Sequence, residues 1–455
     1  MSNQDNNPEP PPPPSNESIE QWNQRMKWWK DAKFGMFIHY GLYSGLEADY
    51  KGSPLPKGHA EWYQEVVGLD SVTYENMAMP KFKPSEEATA IWTDLAVKAG
   101  CQYVVLTSKH HEGFGLFESK LGDFNAKARI NRDLVHEYVA NCRERNLKVG
   151  LYHSLIDWHH AHYDSSSQPT MPYPEGEKER TKHVKRDHSK YLEYLHGQVE
   201  EILTNYGNLD VLWFDFSHFG FDGEKAWKAH ELLEKVRKLQ PEIAVNNRLY
   251  RRKEAGSSGN HVDDILPELD RRYGDFITPE QFIPPEGIHI NWESCMTINN
   301  TWGYSRFDHE FKSVNELIWN LVSVVSRGGN FLLNIGPKVD GSLTPQTVDR
   351  MESIGKWMSV NKEAILSSEM SPFGELAWGA ATHRENNLYL HVNRELYEKS
   401  GKNVAVNKIL EVKEASFLGS NQAVNVHHGK ESTTISFDDL PADISVIKLV
   451  LVKPL

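Results

Sequence analysis

The stretch LDVLWFDF, residues 209–216, decides the fold class of this chain. It is a short apolar run rich in branched and aromatic residues, which is typical of a strand covered on both faces in a parallel sheet. Asp215 lies near its carboxyl end, where an α/β barrel carries its catalytic groups. A buried carboxylate without a partner is costly, so we interpret Asp215 as a candidate catalytic residue. A residue that only caps the following turn is the alternative.

Strands and helices alternate on both sides of this stretch. The candidate strands are 33–40, 102–108, 148–154, 210–215, 243–248, 288–293 and 330–336. Amphipathic helical patterns cover 85–99 (with Ser85 as the predicted cap), 132–145, 190–205, 223–239, 313–326 and 345–360. This alternation predicts a parallel sheet, and the lack of a Gly-x-Gly-x-x-Gly turn favours a barrel over an open sheet. Seven visible strands instead of eight indicate either that one strand is hidden or that the chain forms an irregular (β/α)8-like TIM barrel.

Changes in composition and pattern along the sequence predict three regions. Residues 1–20 are rich in proline and polar residues and are predicted to form a disordered tail. Residues 21–365 are predicted to form the catalytic barrel. Residues 366–455 contain short alternating segments separated by turn residues, which predicts a small antiparallel β-sandwich. Two polar excursions, 163–190 and 251–275, follow strand ends and are predicted to be functional loops.

Composition excludes some classes of protein. The 455 residues carry a net charge of -13, which argues against nucleic acid and anionic membranes as partners. No apolar stretch approaches the length of a membrane span, and no basic-then-apolar leader opens the chain. We expect a soluble protein, either cytoplasmic or secreted with its leader removed. Cys101, Cys142 and Cys295 have neither metal-ligand nor disulfide spacing, and the first two are predicted to be buried.

Histidine, tryptophan and acidic residues are concentrated at seven consecutive strand ends. One such residue usually has a structural role, but a repeated set is hard to explain structurally. Aromatic planes with neutral histidines and acids suit a sugar ring, which has apolar C–H faces and directional hydroxyl groups. Two carboxylates across the scissile bond would complete a glycosidase. No P-loop or Arg-Lys cluster indicates phosphoryl transfer.

Two other classes stay open at this point. A metal-dependent barrel hydrolase would use ligands such as His39, His110, His111, His153 and Asp215. Adjacent strand residues point to opposite faces, however, and no His-Glu-x-x-His helix is present. The third class is a catalytically silent sugar-binding protein with the same pocket.

A series of motifs closely resembles the α-L-fucosidases of glycoside hydrolase family 29 over residues 22 to 365. In chain order they are KFGMFIHYG, AEWY, TSKHHEGF, DLVHEYV, GLYHS, VLWFDF, VNNR, TPEQF, NWESC, TWGY and RGGNFLLNIGP. The resemblance implies a barrel followed by a β-sandwich, with no metal or other cofactor. It also implies retaining hydrolysis of terminal α-L-fucose from a fucosylated oligosaccharide or glycoconjugate. A homo-oligomer is left open.

The resemblance also implies residue roles. Asp215 falls on the family's nucleophile. The fucose subsite is implied to contain His39, Glu61, Trp62, His110, His111, Tyr152 or His153, Trp213, Arg248 and Trp302. Glu280 is the first choice for the acid/base, because it could reach in from a loop. Glu293, predicted to end a strand, is the second choice. Phe216 and His153 depart from the family pattern.

Overall fold

The computed structural model describes residues 16–56, 59–164, 171–218, 221–250 and 271–455. Its centre is one curved sheet of seven parallel strands, in the order β5-β4-β3-β2-β1-β7-β6. The strands are β1 (Phe34–Ile38), β2 (Tyr103–Lys109), β3 (Lys148–Ser154), β4 (Val211–Asp215), β5 (Ala244–Val245), β6 (Glu293–Thr297) and β7 (Asn330–Ile335). The predicted irregular barrel is confirmed.

Residues 276–280 occupy the eighth place, between the edge strands β5 and β6. Isolated parallel bridges join Phe276 to Asn246, Ile277 to Trp292 and Glu280 to Cys295. Pro279 has no N–H to give to a ladder, and it only accepts a hydrogen bond from the Cys295 N–H. The eighth strand is therefore reduced to a bridged segment, which explains why no strand pattern marks it.

Several predicted boundaries are wrong. The strand predicted at 288–293 begins at Glu293 and ends at Thr297, because the Ile288 N–H bonds to the Arg327 carbonyl in the turn before β7. The helix predicted from Ser85 begins at Ala88 without a side-chain cap. The helix predicted at 223–239 is two helices, because Lys228 between them has a φ of 47°.

Helices pack around the sheet, with most of the apolar core between the two layers. The longer ones are Ile19–Ala32, Ala88–Ala99, Leu134–Glu144, His188–Asn205, Ala229–Leu239, Val314–Ser326 and Pro345–Asn361. The shorter ones are Tyr63–Val67, Ser71–Ala78, Ala126–Ile130, Glu175–Arg180 and Gly223–Trp227, and a further short helix, Arg394–Lys399, lies in the C-terminal region beside the strand Asn387–Asn393. A second apolar cluster fills the barrel, and Met26 and Trp29 of the first helix join it. That helix closes the amino-terminal end of the barrel, where Trp29 stacks on Phe276 at 4.7 Å.

Two antiparallel sheets follow the barrel. One has the order Gly379–Arg384, Asn387–Asn393, Ile444–Leu451, Val412–Phe417, and the other Val404–Val406, Thr433–Ser436, Asn425–His428. They share one apolar core, as the predicted sandwich requires.

The first helix begins inside the predicted tail. Residues 1–15 of that tail lie outside the described residues, as do 165–170 and 251–270 of the two predicted functional loops.

Candidate active site

One arginine holds two carboxylates at the carboxyl ends of the strands. Arg248 Nη1 donates to Asp215 Oδ1 at 2.7 Å, and its Nη2 donates to Glu280 Oε2 at 3.0 Å. The arginine side chain is 5% exposed, the aspartate 14% and the glutamate 27%, so both acids face the opening. Thr278 fixes the guanidinium through two hydrogen bonds. Its hydroxyl oxygen accepts from Arg248 Nε at 2.7 Å, and its carbonyl oxygen accepts from Nη2 at 3.1 Å. Two acids therefore share one immobilised cation.

Asp215 ends β4 and receives hydrogen bonds on both oxygens. Arg248 binds Oδ1, and the Tyr152 hydroxyl donates to Oδ2 at 3.0 Å. Donors on both oxygens fix the orientation of an ionised carboxylate. Directly after it, Phe216 has a φ of 80°, a conformation that a bulky residue rarely adopts.

Glu293 lies elsewhere. It begins β6, contrary to the prediction that it ends a strand, and its side chain is 0% exposed inside the barrel. The Trp213 indole N–H donates to Glu293 Oε1 at 3.0 Å, and the Tyr103 hydroxyl donates to Oε2. Burial raises the pKa of Glu293 to about 7. Of the two acid/base candidates, Glu280 is the one that the structure brings together with Asp215.

Three predicted histidines form one wall of the site. The His110 ring lies 5.6 Å from that of His39, 4.0 Å from that of His111, and is stacked on Tyr152 at 5.4 Å. Burial lowers the pKa of His39 to about 3, that of His111 to about 4, and that of His110 well below its usual value. All three rings are therefore neutral at pH 7 and can exchange hydrogen bonds with hydroxyl groups.

Hydrogen bonds to neighbouring side chains orient two of these rings. His39 Nδ1 hydrogen bonds with Asn334 Oδ1 at 2.6 Å, and His111 Nδ1 with Ser154 Oγ at 2.7 Å. Strand alternation does not separate His110 from His111, because β2 ends at Lys109 and both residues lie beyond the ladder. The objection to a shared face applies only to residues within a regular strand, and these two histidines lie outside it.

Glu61, Trp62 and Trp302 complete the enclosure. The glutamate accepts the Gly303 N–H at 2.9 Å, and its other oxygen is buried without a hydrogen-bond partner among the described residues. The Trp302 ring lies 5.0 Å from that of His39. The Trp62 ring lies 5.2 Å from that of His111 and 5.5 Å from that of Phe216. An unsatisfied buried acceptor beside aromatic rings suits a polyhydroxylated ligand.

Tyr152 and His153 face opposite sides of β3. His153 is fully buried, hydrogen bonds with Ser108 Oγ at 3.0 Å and lies 6.0 Å from the Phe117 ring. Phe117 belongs to the core between sheet and helices, whereas Tyr152 faces the barrel interior. The structure therefore does not place His153 with the other candidates, because neighbouring strand residues alternate between faces.

Sequence reasoning missed Tyr43. Its ring lies 5.6 Å from that of His110, and its buried hydroxyl has no hydrogen-bond partner among the described residues. The available signal was its position just after β1, two residues beyond the KFGMFIHYG motif. Asn334 was also missed, although a polar residue inside the apolar strand β7 is itself a signal.

The part of the chain that the structure describes has neither a metal-binding cluster nor a membrane-spanning helix. Across 16–56, 59–164, 171–218, 221–250 and 271–455, no three His, Cys, Asp or Glu side chains are grouped so as to hold a metal ion. Within the same ranges, no helix combines the length and the apolarity needed to cross a bilayer. Cys101, Cys142 and Cys295 are all buried and unpaired.

Comparison with known proteins identifies the family. The α-L-fucosidase family model matches residues 2–363. An α-L-fucosidase of Dictyostelium discoideum is 30% identical over 365 residues, covering 75% of this chain and 71% of that protein.

Solved structures agree with the sequence match. α-L-fucosidase isoenzyme 1 of Paenibacillus thiaminolyticus superposes with a TM-score of 0.82 at 34% identity, covering 94% of this chain and 99% of that one. A Bacteroides thetaiotaomicron α-L-fucosidase of glycoside hydrolase family 29, trapped as a covalent intermediate, superposes with a TM-score of 0.78 at 25% identity, covering 98% of both chains. With a matching family model, related sequences and the same fold, this chain belongs to the α-L-fucosidase family.

Proposed function

We propose that this α-L-fucosidase removes terminal α-L-fucose from fucosylated glycans with Asp215 as the nucleophile and Glu280 as the acid/base. The observation that carries the assignment is the guanidinium of Arg248, which holds both carboxylates at once. A retaining glycosidase needs its two carboxyl groups close together on either side of the glycosidic bond. One cation between two acids also leaves a surplus negative charge in this cluster.

The reaction then has two displacements. In the first, Asp215 forms an ester with the anomeric carbon while Glu280 gives its proton to the departing glycosidic oxygen. In the second, Glu280 takes a proton from water, the water oxygen attacks the anomeric carbon, and the bond to Asp215 breaks. Tyr152 and Arg248 keep the nucleophile oriented through both steps.

The surrounding residues supply a fucose subsite. Neutral His39, His110 and His111 are suited to bind ring hydroxyl groups in defined directions, and so is the unsatisfied oxygen of Glu61. Trp302 offers an apolar surface to the sixth-carbon methyl group, which distinguishes fucose from galactose. A methyl group in a fitted pocket is worth about 1–3 kcal/mol of discrimination. A screen of aryl glycosides that differ only in the sugar tests this specificity, and we expect the α-L-fucoside to be the preferred substrate.

Rescue by a small anion tests the acid/base assignment. In Glu280→Ala, azide can occupy the space of the lost carboxylate and attack the fucosyl ester, so added azide is expected to restore turnover of an aryl fucoside and give a fucosyl azide. In Glu293→Ala the lost carboxylate lies inside the barrel, so azide should have no effect. Rescue of Glu293→Ala alone would reverse the assignment.

The remaining alternatives predict different results. A metal-dependent hydrolase would lose activity after exhaustive chelation, whereas we expect full activity. A silent binding protein would bind fucose without releasing the aryl group. The net charge of -13 supports a protein that acts without nucleic acid or anionic membranes as partners.

A further inference from the structure

Glu293 is a buried carboxylate that the proposed reaction does not use. It accepts from Trp213 Nε1 at 3.0 Å on one oxygen and from the Tyr103 hydroxyl on the other. Tyr103 belongs to β2, Trp213 to β4 and Glu293 to β6, so the two hydrogen bonds cross the barrel interior. Such a network is costly to build, because a carboxylate without solvent must be compensated by its donors.

Trp213 connects this network to the reacting groups. The guanidinium of Arg248 lies over the indole ring, 4.4 Å from its centroid. The Tyr152 ring stacks on the same indole at 5.8 Å. These two residues are the donors that hold Asp215. The indole therefore packs against both donors of Asp215.

We infer that Glu293 is a positioning residue for the hydrolysis: by accepting the Trp213 N–H, it fixes the indole plane that supports Arg248 and Tyr152 against Asp215. This inference rests on the proposed roles of Asp215 and Glu280. Without the acceptor, the indole N–H is left buried and unpaired, and the ring turns to find another partner. Arg248 and Tyr152 then shift relative to the carboxylates. A misplacement of about 1 Å can cost about 100-fold in rate.

A purely structural role for Glu293 predicts a different pattern. Removing a structural hydrogen bond lowers the melting temperature and leaves the kcat of the folded enzyme unchanged. A matched control is available in Glu112, which is also buried and accepts from a tyrosine hydroxyl, Tyr74, and one N–H, that of Leu42. Burial raises the pKa of Glu112 to about 7 as well. Neither of its donors contacts Trp213.

The experiment compares Glu293→Met, Glu293→Gln and Glu112→Met with the wild type on an aryl α-L-fucoside. Melting temperature, kcat and KM are measured for each variant. We expect both methionine variants to lose melting temperature, but only Glu293→Met to lose kcat, by about 100-fold. Glu293→Gln still offers an oxygen to the Trp213 N–H, so below pH 6 it should keep kcat within about threefold of wild type.

The pH profile adds a readout that structural damage does not move. The groups facing Glu293 are Tyr103, Trp213, Arg248 and Cys295. At alkaline pH the wild-type Glu293 is charged and Glu293→Gln is not, so the alkaline limb of kcat/KM should move to lower pH in the variant. The acid limb should stay in place, because Glu293 is already protonated there.

Two outcomes overturn the inference: equal kcat for Glu293→Met and Glu112→Met, or an alkaline limb of Glu293→Gln identical to that of wild type. If Glu293→Met does not fold, Trp213→Phe removes the same hydrogen bond from the other side, and an unchanged kcat there also overturns it. A wild type that does not cleave the fucoside refutes the proposed function itself, which separates the two failures.

Discussion

The two ends of the barrel carry opposite arrangements of the same groups. At the amino-terminal end, Asp275 lies between Arg25 and Arg237, with the Val245 N–H also bonded to it. At the carboxyl end, Arg248 lies between Asp215 and Glu280. One end has an acid between two cations, and the other has a cation between two acids.

The cluster around Asp275 has a structural role, whereas the cluster around Arg248 belongs to the proposed active site. Burial raises the pKa of Asp275, but the charges of Arg237 and Arg25 outweigh it and lower the pKa to about 2. That carboxylate is therefore ionised at neutral pH, and it joins the first helix to the sheet. At the other end the two acids outnumber the cation, and both face the opening.

The largest effect is expected for Asp215→Ala. Removing the proposed nucleophile should lower kcat for an aryl α-L-fucoside by about 10⁴-fold or more and leave the melting temperature close to that of wild type. Steady-state kinetics with a thermal melt checks both. A near-normal kcat in this variant would show that Asp215 is not the nucleophile. The comparison between the two ends of the barrel would then fail as well.

Arg248→Lys is expected to cost about 100-fold in kcat. An ammonium group is a compact charge and cannot bond Asp215, Glu280 and Thr278 together, as the planar guanidinium does. The measurement is kcat and KM for the same fucoside. If the lysine variant matched wild type, bridging of the two acids would be irrelevant to catalysis.

Asp275→Asn should affect stability and leave kcat unchanged. It leaves two cations facing a neutral side chain, which lowers the free energy of unfolding by about 3–5 kcal/mol at neutral pH. The pKa of Asp275 is lowered from 3.8 to about 2, so its stabilisation is fully present above pH 3.8. The difference between variant and wild type should shrink as pH falls through 2. Denaturant titrations across that pH range test whether the stability difference shrinks. A loss of kcat in the folded variant would contradict a purely structural role for Asp275.

The smallest effect is expected for Glu17→Gln. Glu17 binds Arg25 through two hydrogen bonds of 2.8 and 2.9 Å, but it is partly exposed, and solvent screens such a pair. The loss in unfolding free energy should be below about 1 kcal/mol, measured by the same titration. A loss as large as that of Asp275→Asn would mean that the outer acid stabilises this end as much as the buried one.

Much of the fold is present in local patterns of the sequence. The run ending in Asp215 predicts β4 because it is apolar on both faces, and its bounds differ by one residue from those observed. The segment 276–280 carries no such pattern, because isolated bridges and Pro279 replace a ladder. The apolar residues before Glu293 predict a strand at 288–293, but the ladder with β7 begins only at Glu293.

The site was predictable in its residue types and less so in its geometry. The distinction between Tyr152 and His153 depends on which face of a doubly covered strand points into the barrel, and both faces are apolar. The proximity of His110 and His111 depends on where β2 ends. The choice between Glu280 and Glu293 depends on burial, which long-range packing sets.

The bridged segment gives the two proposed catalytic acids unequal mechanical support. Asp215 lies on β4, which pairs with β3 along its whole length and with β5 at its first two residues. Glu280 ends the segment 276–280, which three isolated bridges join to its neighbours. The next residue, Gln281, has a left-handed backbone conformation with a φ of 50°. A change in the length of this segment would therefore move Glu280, the proposed proton donor, more than Asp215, the proposed nucleophile.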